Sequence, residues 1–368
     1  MDFALNEEQE AVRDLARQIL GDVATPERHR QLEVADEWID RKAWEALAGA
    51  GLVGIALPAE HGGGGLGFLE VALVLEEIGR TVAKVPYLAA IVLGALPIAE
   101  FGDADIRSQW LPRLASGAAI ATAALVEPGR APADPATTAR RRGDVWSLAG
   151  EKHYVAAGLD ADLLLVPAMT GDGVQVFLVD PKGDGVTVVR QDTTTGIPEA
   201  RVTLADAAAV SALGSGDGAA VVDWITLRAT AGLAAMSAGV CDAALHITAE
   251  YTKTREQFGR KIATFQAVSQ RVGDIYIDTE AIRLTAHQAL WRLANGIPAG
   301  EEVATAKFWA AWGGQRVVHA AQHLHGGVGV DRDYPLHRSF LQAKELELQL
   351  GGATRQLVAL GKLIAQPA

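Results

Sequence analysis

The spacing of apolar residues changes twice along this chain, and that change constrains the fold more than any single motif. Up to about residue 118 the apolar residues fall at helical intervals. Leu5, Val12, Leu15, Ala16 and Ile19 follow this pattern around a helix start at Asn6, with Glu7, Glu8 and Glu10 in the first turn. Trp44, Leu47 and Leu52 continue an apolar face, and the pattern predicts another helix from Phe68 to about Arg80. From about Ala119 to Ala205 the period shortens. The runs AIATAALV, VWSLAGEKHYV, ADLLLVPAM, VQVFLVD, VTVVRQ and ARVTLA are separated by Gly, Asp, Pro and Lys, which predicts a compact antiparallel β domain. The small, glycine-rich stretch DAAAVSALGSGDGAA reads as a connector. Long helices return from about Val221 to Ile364, beginning with an alanine-dense helix from Trp224 to Arg255 whose small residues let neighbours pack closely. Helices, then sheet, then helices make an α+β chain that ends in a helical bundle, divided as 1–118, 119–205 and 206–368.

The chain has 368 residues, 49% of them apolar, which is enough for a large core and excludes a disordered protein. A formal charge of −12 argues against nucleic acid or an anionic membrane as the main partner. The single cysteine, Cys241, permits no intramolecular disulfide and fits a reducing cytoplasm; among Ala, Met and Val it reads as a buried, inert thiol. The segment MDFALNEEQEAVRDL lacks the basic and apolar regions of a signal peptide. The longest apolar run, Leu88 to Ala99, is broken by Pro97 and is too short to span a bilayer. No metal-ligand spacing is present: His323 and His325 are two residues apart, on different faces of a helix. The four glycines Gly62 to Gly65 suggest a phosphate loop, but no Lys-Ser/Thr follows and no strand precedes, which favours a plain turn.

The segment Tyr251 to Gln270, YTKTREQFGRKIATFQAVSQ, carries the strongest chemical signal. Arg255 stands three residues before Phe258-Gly259, Arg260 and Lys261 follow, and an apolar period resumes at Ile262, Phe265, Val268 and Val272. A planar guanidinium suits phosphate oxygens, and an aromatic beside it suits an apolar ring. A solvated basic turn between two helices fits the same residues.

Several segments together resemble the acyl-CoA dehydrogenase family over nearly the whole chain: MDFALNEEQ, AGLVGIALPAEHGGGGLG, VEPG at 126–129, REQFGRKI at 255–262, FQAVSQ at 265–270 and HGGVGVDRDYPLHR at 325–338. The resemblance implies an N-terminal helical domain, a middle antiparallel β domain and a C-terminal four-helix bundle. It also implies FAD, an acyl-CoA thioester desaturated across its α,β bond, a carboxylate base, and an electron-transfer flavoprotein as acceptor. In the family FAD lies across a subunit interface. One subunit cradles the ring with its β domain, and its neighbour reaches over with the arginine elbow and a glycine turn.

The reaching residues match: Arg255, Phe258 and Gln266, with Gly326, Gly327 and Gly329 in the turn and His323 where a glutamine is usual. The cradle does not. Val126-Glu127-Pro128 and Pro132-Ala133-Asp134 stand where the family has Thr-Glu-Pro and Gly-Ser-Asp, and Tyr154-Val155-Ala156-Ala157 where it has Trp-Ile-Thr-Asn. Each lost hydrogen bond is worth about 0.5–1.5 kcal/mol. The base is missing too. The two family positions fall on Leu350 and Leu227, and leucine accepts no proton. Glu347 is the weak alternative, three residues from Leu350 and so about 4.5 Å along a helix axis; it and Glu345 are expected to pair with solvent, Lys344 or Arg338.

The resemblance therefore implies a base-less subunit. It would contribute interface contacts to an FAD shared with a second, glutamate-bearing acyl-CoA dehydrogenase-like chain, as in actinobacterial heterotetramers acting on steroid side-chain thioesters. This chain alone would be inactive, with no nucleic-acid or membrane partner. A self-sufficient homotetramer using Glu347 and a non-catalytic acyl-CoA-binding or structural protein are the alternatives.

Overall fold

The computed structural model describes residues 4–143, 145–214 and 216–365; Met1 to Phe3 of the quoted N-terminal segment and Ser215 of the expected connector lie outside the described residues. In chain order the helices begin with α1 (Glu7–Val23), α2 (Pro26–Val34), α3 (Arg41–Gly49) and α4 (Phe68–Thr81). A π-helical segment, Leu88–Ala95, runs on into α5 (Leu96–Phe101), and α6 (Ala104–Ala115) follows. The strands are β1 (Ala121–Ala123), β2 (Thr138–Arg142), β3 (Val145–Val155), β4 (Leu163–Thr170), β5 (Gly173–Val179), β6 (Val186–Gln191) and β7 (Glu199–Leu213). After α7 (Gly218–Thr254) come a short hairpin, β8 (Glu256–Gln257) and β9 (Arg260–Lys261), then α8 (Gln266–Ala294), α9 (Gly300–His325), α10 (Leu336–Leu348) and α11 (Ala353–Ile364).

The helix starts follow local chemistry. Asn6 and Gln9 form a reciprocal capping box at α1. Thr25 caps α2 ahead of Pro26, and Asp40 and Asp103 accept backbone N–H bonds at α3 and α6.

The chain divides into two compact units. The first comprises Met1–Ala35, Phe68–Ala83 and Thr230–Ala368. Within it α8, α10 and α11 pack on α9, and α1 packs on α4. Buried ion pairs cross-link α4, α7 and α8: Asp242 meets Arg80 and Arg283, Glu76 meets Arg80 and His287, and Glu77 meets Arg80 and Arg17 of α1. Small residues let the backbones approach. A Cβ at Gly239 would overlap the Glu76 carbonyl and lie 2.7 Å from the Arg80 amide nitrogen. Gly239→Ala is therefore expected to cost about 1–3 kcal/mol by wedging α4 from α7, read as a lower denaturant midpoint at unchanged slope.

The second unit comprises Asp36–Gly67 and Lys84–Ala229. Its sheet runs β1-β4-β2-β3-β7-β5, with β6 on β7 and a further β4–β5 pairing. Strands β4, β2, β3, β7 and β5 thus close on themselves, with β1 and β6 each paired on one side only. Leu148, Val155, Leu164, Val166, Phe177, Val179, Val202 and Leu204 fill the interior. The sheet is antiparallel except where β1, and β2 at Thr138, run parallel to β4.

Two expectations from sequence need correction. The stretch read as a connector is strand as far as Leu213: Ala207 and Ala208 pair with β3, and Ala209 to Leu213 pair with β5. Its alanines have low strand propensity, but ladder bonds to β3 and then to β5 hold them. β2 escaped notice because Arg140, Arg141 and Arg142 are all exposed and show no apolar alternation.

The Gly62 to Gly65 turn spends its amides on backbone. Gly63, Gly64 and Gly65 donate to Pro58, Gly54 and Leu57, so they offer no phosphate nest. Cys241 is buried, and burial pushes its thiol up to about 12. Among the described residues one helix, α7, is long and apolar enough to cross a membrane, and 56% of that window is buried inside the protein. No group of three or more metal-ligating side chains occurs among them.

Candidate functional site

In the first unit α7 ends at Thr254 and the chain turns through β8 and β9. Glu256 pairs with Lys261 and Gln257 with Arg260, leaving Phe258 and Gly259 at the tip with φ of 56° and 76°. Two positive φ values match a tight two-residue hairpin, yet the first belongs to a phenylalanine that is 92% exposed. A bulky aromatic held in a strained conformation and left in water is a poor choice for stability alone. The neighbouring cations are occupied. Lys261 pairs with Glu256 at 2.7 Å, and the Arg260 guanidinium lies over Phe265 at 4.1 Å. Arg255 is exposed, with no ion pair or side-chain hydrogen bond among the described residues. Its backbone is fixed on both sides: its N–H donates to the Tyr251 carbonyl and its carbonyl accepts from Ile262, both at 2.9 Å. Gln266 opens α8 and is exposed.

The glycine turn follows α9. His323 is exposed and His325 buried, as two positions on different faces should be. Gly326 adopts φ 59° and ψ −136°, a region open in practice to glycine alone. A Cβ at Gly326 or Gly327 would meet nothing within 4 Å, whereas one at Gly329 would press on the Gln322 carbonyl at 2.9 Å. Gly329 is thus a packing glycine, and the first two border open space. A guanidinium without an anion, an exposed aromatic and two unobstructed glycines fit the requirements of a dinucleotide pyrophosphate and its ring.

The two positions at which the resemblance expects a base, Leu350 and Leu227, carry no proton acceptor. Leu350 sits at φ 53° in the turn between α10 and α11. That turn is held by Lys307, whose fully buried Nζ donates to the carbonyls of Leu346, Glu347 and Gly351 at 2.7, 3.0 and 3.3 Å. Burial pushes the Lys307 ammonium down to about 8. Gln356 Nε2 adds bonds to the Leu350 and Gly351 carbonyls. Glu347 is ion-paired with Lys344 at 2.6 Å, and Glu345 accepts from Gln349. Arg338, expected near these glutamates, instead makes a two-pronged pair with Glu33 on α2.

In the second unit Leu227 lies on α7, half-buried, beside Arg228, whose guanidinium stacks on Trp224 at 3.7 Å. The segments that should cradle a ring are built around a buried ion pair. Lys152 Nζ meets Glu127 Oε1 at 2.6 Å and the Pro167 carbonyl at 2.7 Å. Glu127 also accepts from the Thr137 hydroxyl at 2.6 Å and from the Thr137 and Ala136 amides. Burial pushes the Glu127 carboxyl upward, but these donors outweigh it and leave it below the ordinary range; burial pulls Lys152 below its own. Around this anchor the cradle has no side-chain hydroxyl or amide at Val126, Ala156 and Ala157. Tyr154, at φ 50°, donates its backbone N–H to Gln191, and the Ala156 carbonyl accepts from Thr122.

The anchors Glu127–Lys152 and Lys307 were not singled out from sequence. The available signal for Lys307 was a lone cation inside the small, apolar run ATAKFWAAW.

A helical–barrel–helical chain with an arginine elbow and an open glycine turn is the scaffold of a flavin-type acyl-CoA oxidoreductase. The comparisons agree. The acyl-CoA dehydrogenase N-terminal, middle and C-terminal domains match residues 6–118, 122–206 and 216–361, and the chain belongs to the acyl-CoA dehydrogenase family. It is 41% identical to the acyl-CoA dehydrogenase FadE27 of Mycobacterium tuberculosis, covering 100% of this chain and 99% of that one. Among solved structures it is similar to the Tcur3481–Tcur3483 steroid ACAD, with 45% identity, TM-score 0.92 and 98% of each chain covered. It is also similar to the ChsE4–ChsE5 complex from Mycobacterium tuberculosis, with 41% identity, TM-score 0.93 and 100% of each chain covered.

Proposed function

We propose that this chain is the base-less subunit of a hetero-oligomeric, FAD-dependent acyl-CoA dehydrogenase. The observation that carries the reading is an asymmetry. Arg255, Phe258, Gly326 and Gly327 stand exposed, with the Arg255 side chain unpaired among the described residues, whereas both base positions are leucine and the cradle lacks its hydroxyls. When bound, FAD accepts the β hydrogen of an acyl-CoA thioester as hydride while a carboxylate takes the α proton. Arg255 would hold the pyrophosphate where the side-chain-free Gly326–Gly327 turn lets it approach the backbone, Phe258 would cover an apolar face, and Gln266 and His323 would donate polar contacts. The α proton goes to a glutamate of a second acyl-CoA dehydrogenase-like subunit, because Leu350 and Leu227 hold none. The name of one similar structure, a steroid ACAD, supports a bulky steroid-type thioester as substrate, and the paired names of both support a two-chain assembly. An electron-transfer flavoprotein is the acceptor and the cytoplasm the compartment. A relocated base at Glu347 is disfavoured by its ion pair with Lys344.

The test is Arg255→Ala in the complex co-expressed with the chain's genomic neighbour. FAD should bind about 10–100-fold more weakly, the weight of a charge-assisted hydrogen bond. Unchanged flavin occupancy would remove the elbow from the site and favour a non-flavin, acyl-CoA-binding role.

A further inference from the structure

Three rings meet where the two arms originate. His325 closes α9 directly before Gly326 and is 3% exposed. Its Nδ1–H donates to the Ala321 carbonyl at 2.8 Å, which leaves the Nε2 lone pair to accept from the Tyr334 hydroxyl at 3.2 Å. Burial holds this imidazole below its ordinary value and so keeps that lone pair free of a proton. Tyr251 stacks on the imidazole, centroids 4.2 Å apart and planes 24° apart, and its hydroxyl reaches the His325 carbonyl at 3.4 Å. Tyr334 closes the triangle edge-on to Tyr251 at 6.2 Å.

The chain leaves this knot in two directions. One residue beyond His325 is Gly326. One helical turn beyond Tyr251 is Arg255, tied to it by the bond from the Arg255 amide. The glycine turn also folds back on the knot, since a Cβ at Gly329 would lie 3.1 Å from His325 Cβ. Apolar residues of the same volume would fill this space without fixing the ring orientations. Here each polar atom has one permitted role: with Nδ1–H committed to Ala321, Nε2 only accepts and Tyr334 must donate.

We infer that Tyr251, His325 and Tyr334 are positioning residues that set the spacing between the Arg255 elbow and the Gly326–Gly327 turn, so that both arms grip one pyrophosphate together. The inference rests on the flavin-gripping reading above. A grip at two points gains affinity from pre-organisation only while its spacing is fixed. Loosening the knot therefore matters only when both arms are intact.

The experiment is a double-mutant cycle on the co-expressed complex, reading the FAD dissociation constant from flavin fluorescence and the Tm of each variant. Tyr334→Phe keeps the ring and removes the donated hydroxyl; Tyr251→Phe is a second, milder variant. With Arg255 intact, Tyr334→Phe should weaken FAD binding about 3–10-fold. In the Arg255→Ala background it should weaken it no further, and Tm should follow the same small change in both backgrounds. Equal weakening in both backgrounds would make the rings merely structural and overturn the inference, as would no weakening by either tyrosine variant with Arg255 present. No loss on Arg255→Ala alone would overturn the grip reading itself.

Discussion

Glu127→Gln will destabilise the barrel unit by about 3–5 kcal/mol, because it leaves the Lys152 ammonium buried without its counter-charge. Lys152 is fully buried, and among the described residues its only other partner is the Pro167 carbonyl. A glutamine oxygen still accepts up to two bonds, but it cannot serve Lys152, the Thr137 hydroxyl and two amides together. The loss has a pH signature. The folded carboxyl is held below its ordinary 4.5, so its contribution is complete above that pH and is lost as pH falls through the folded value. Wild-type denaturant midpoints should therefore fall in acid more steeply than those of Glu127→Gln. Parallel acid limbs would show that Glu127 is not ionised in the fold.

Lys307→Ala has the next largest expected effect, about 2–4 kcal/mol in the helical unit, from the lost bonds to the Leu346 and Glu347 carbonyls, a Gly351 carbonyl left to Gln356 alone, and the cavity left by a buried side chain. The turn carrying Leu350 should loosen first, read as faster amide hydrogen exchange at residues 348–352. The pH dependence here has the same sign but falls in an alkaline window. An unfolded lysine keeps its proton to about 10.5, and the folded Lys307 only to about 8. Between those values the unfolded chain binds more protons, so wild-type stability gains up to about 3 kcal/mol from this group as pH rises. Below pH 8 the desolvation penalty is present in full. Lys307→Ala should lack that rise, and an equal rise in the variant would assign it to other groups.

What the sequence makes legible is local. The capping box at Asn6, the helix from Phe68 and the elbow at Arg255 depend on residues close in the chain, and periodicity finds them. The barrel's closure does not, because the β4–β5 and β3–β7 registers are set by residues far apart. β7 beyond Ala205 looked like a linker because its alanines carry little pattern; its order comes from bonds to two neighbours. Buried lysines are similarly hidden: whether Lys152 or Lys307 is solvated or interred depends on which carbonyls a distant segment aims at it. Arg338 shows the same limit, since a glutamate on α2, not one nearby in sequence, takes its guanidinium. The arms were legible as residues, while the knot of Tyr251, His325 and Tyr334 joins three helix ends that sequence alone does not bring together.

The central claim is that this chain completes a flavin site whose chemistry belongs to a partner. Its most direct test is to count flavin in the chain purified alone and in the complex with its genomic neighbour, then add acyl-CoA anaerobically and follow bleaching of the flavin absorbance. The chain alone should be colourless, and the complex should carry one flavin for each pair of chains, bleached by acyl-CoA. A yellow homo-oligomer of this chain alone, carrying stoichiometric FAD that acyl-CoA reduces, would contradict it.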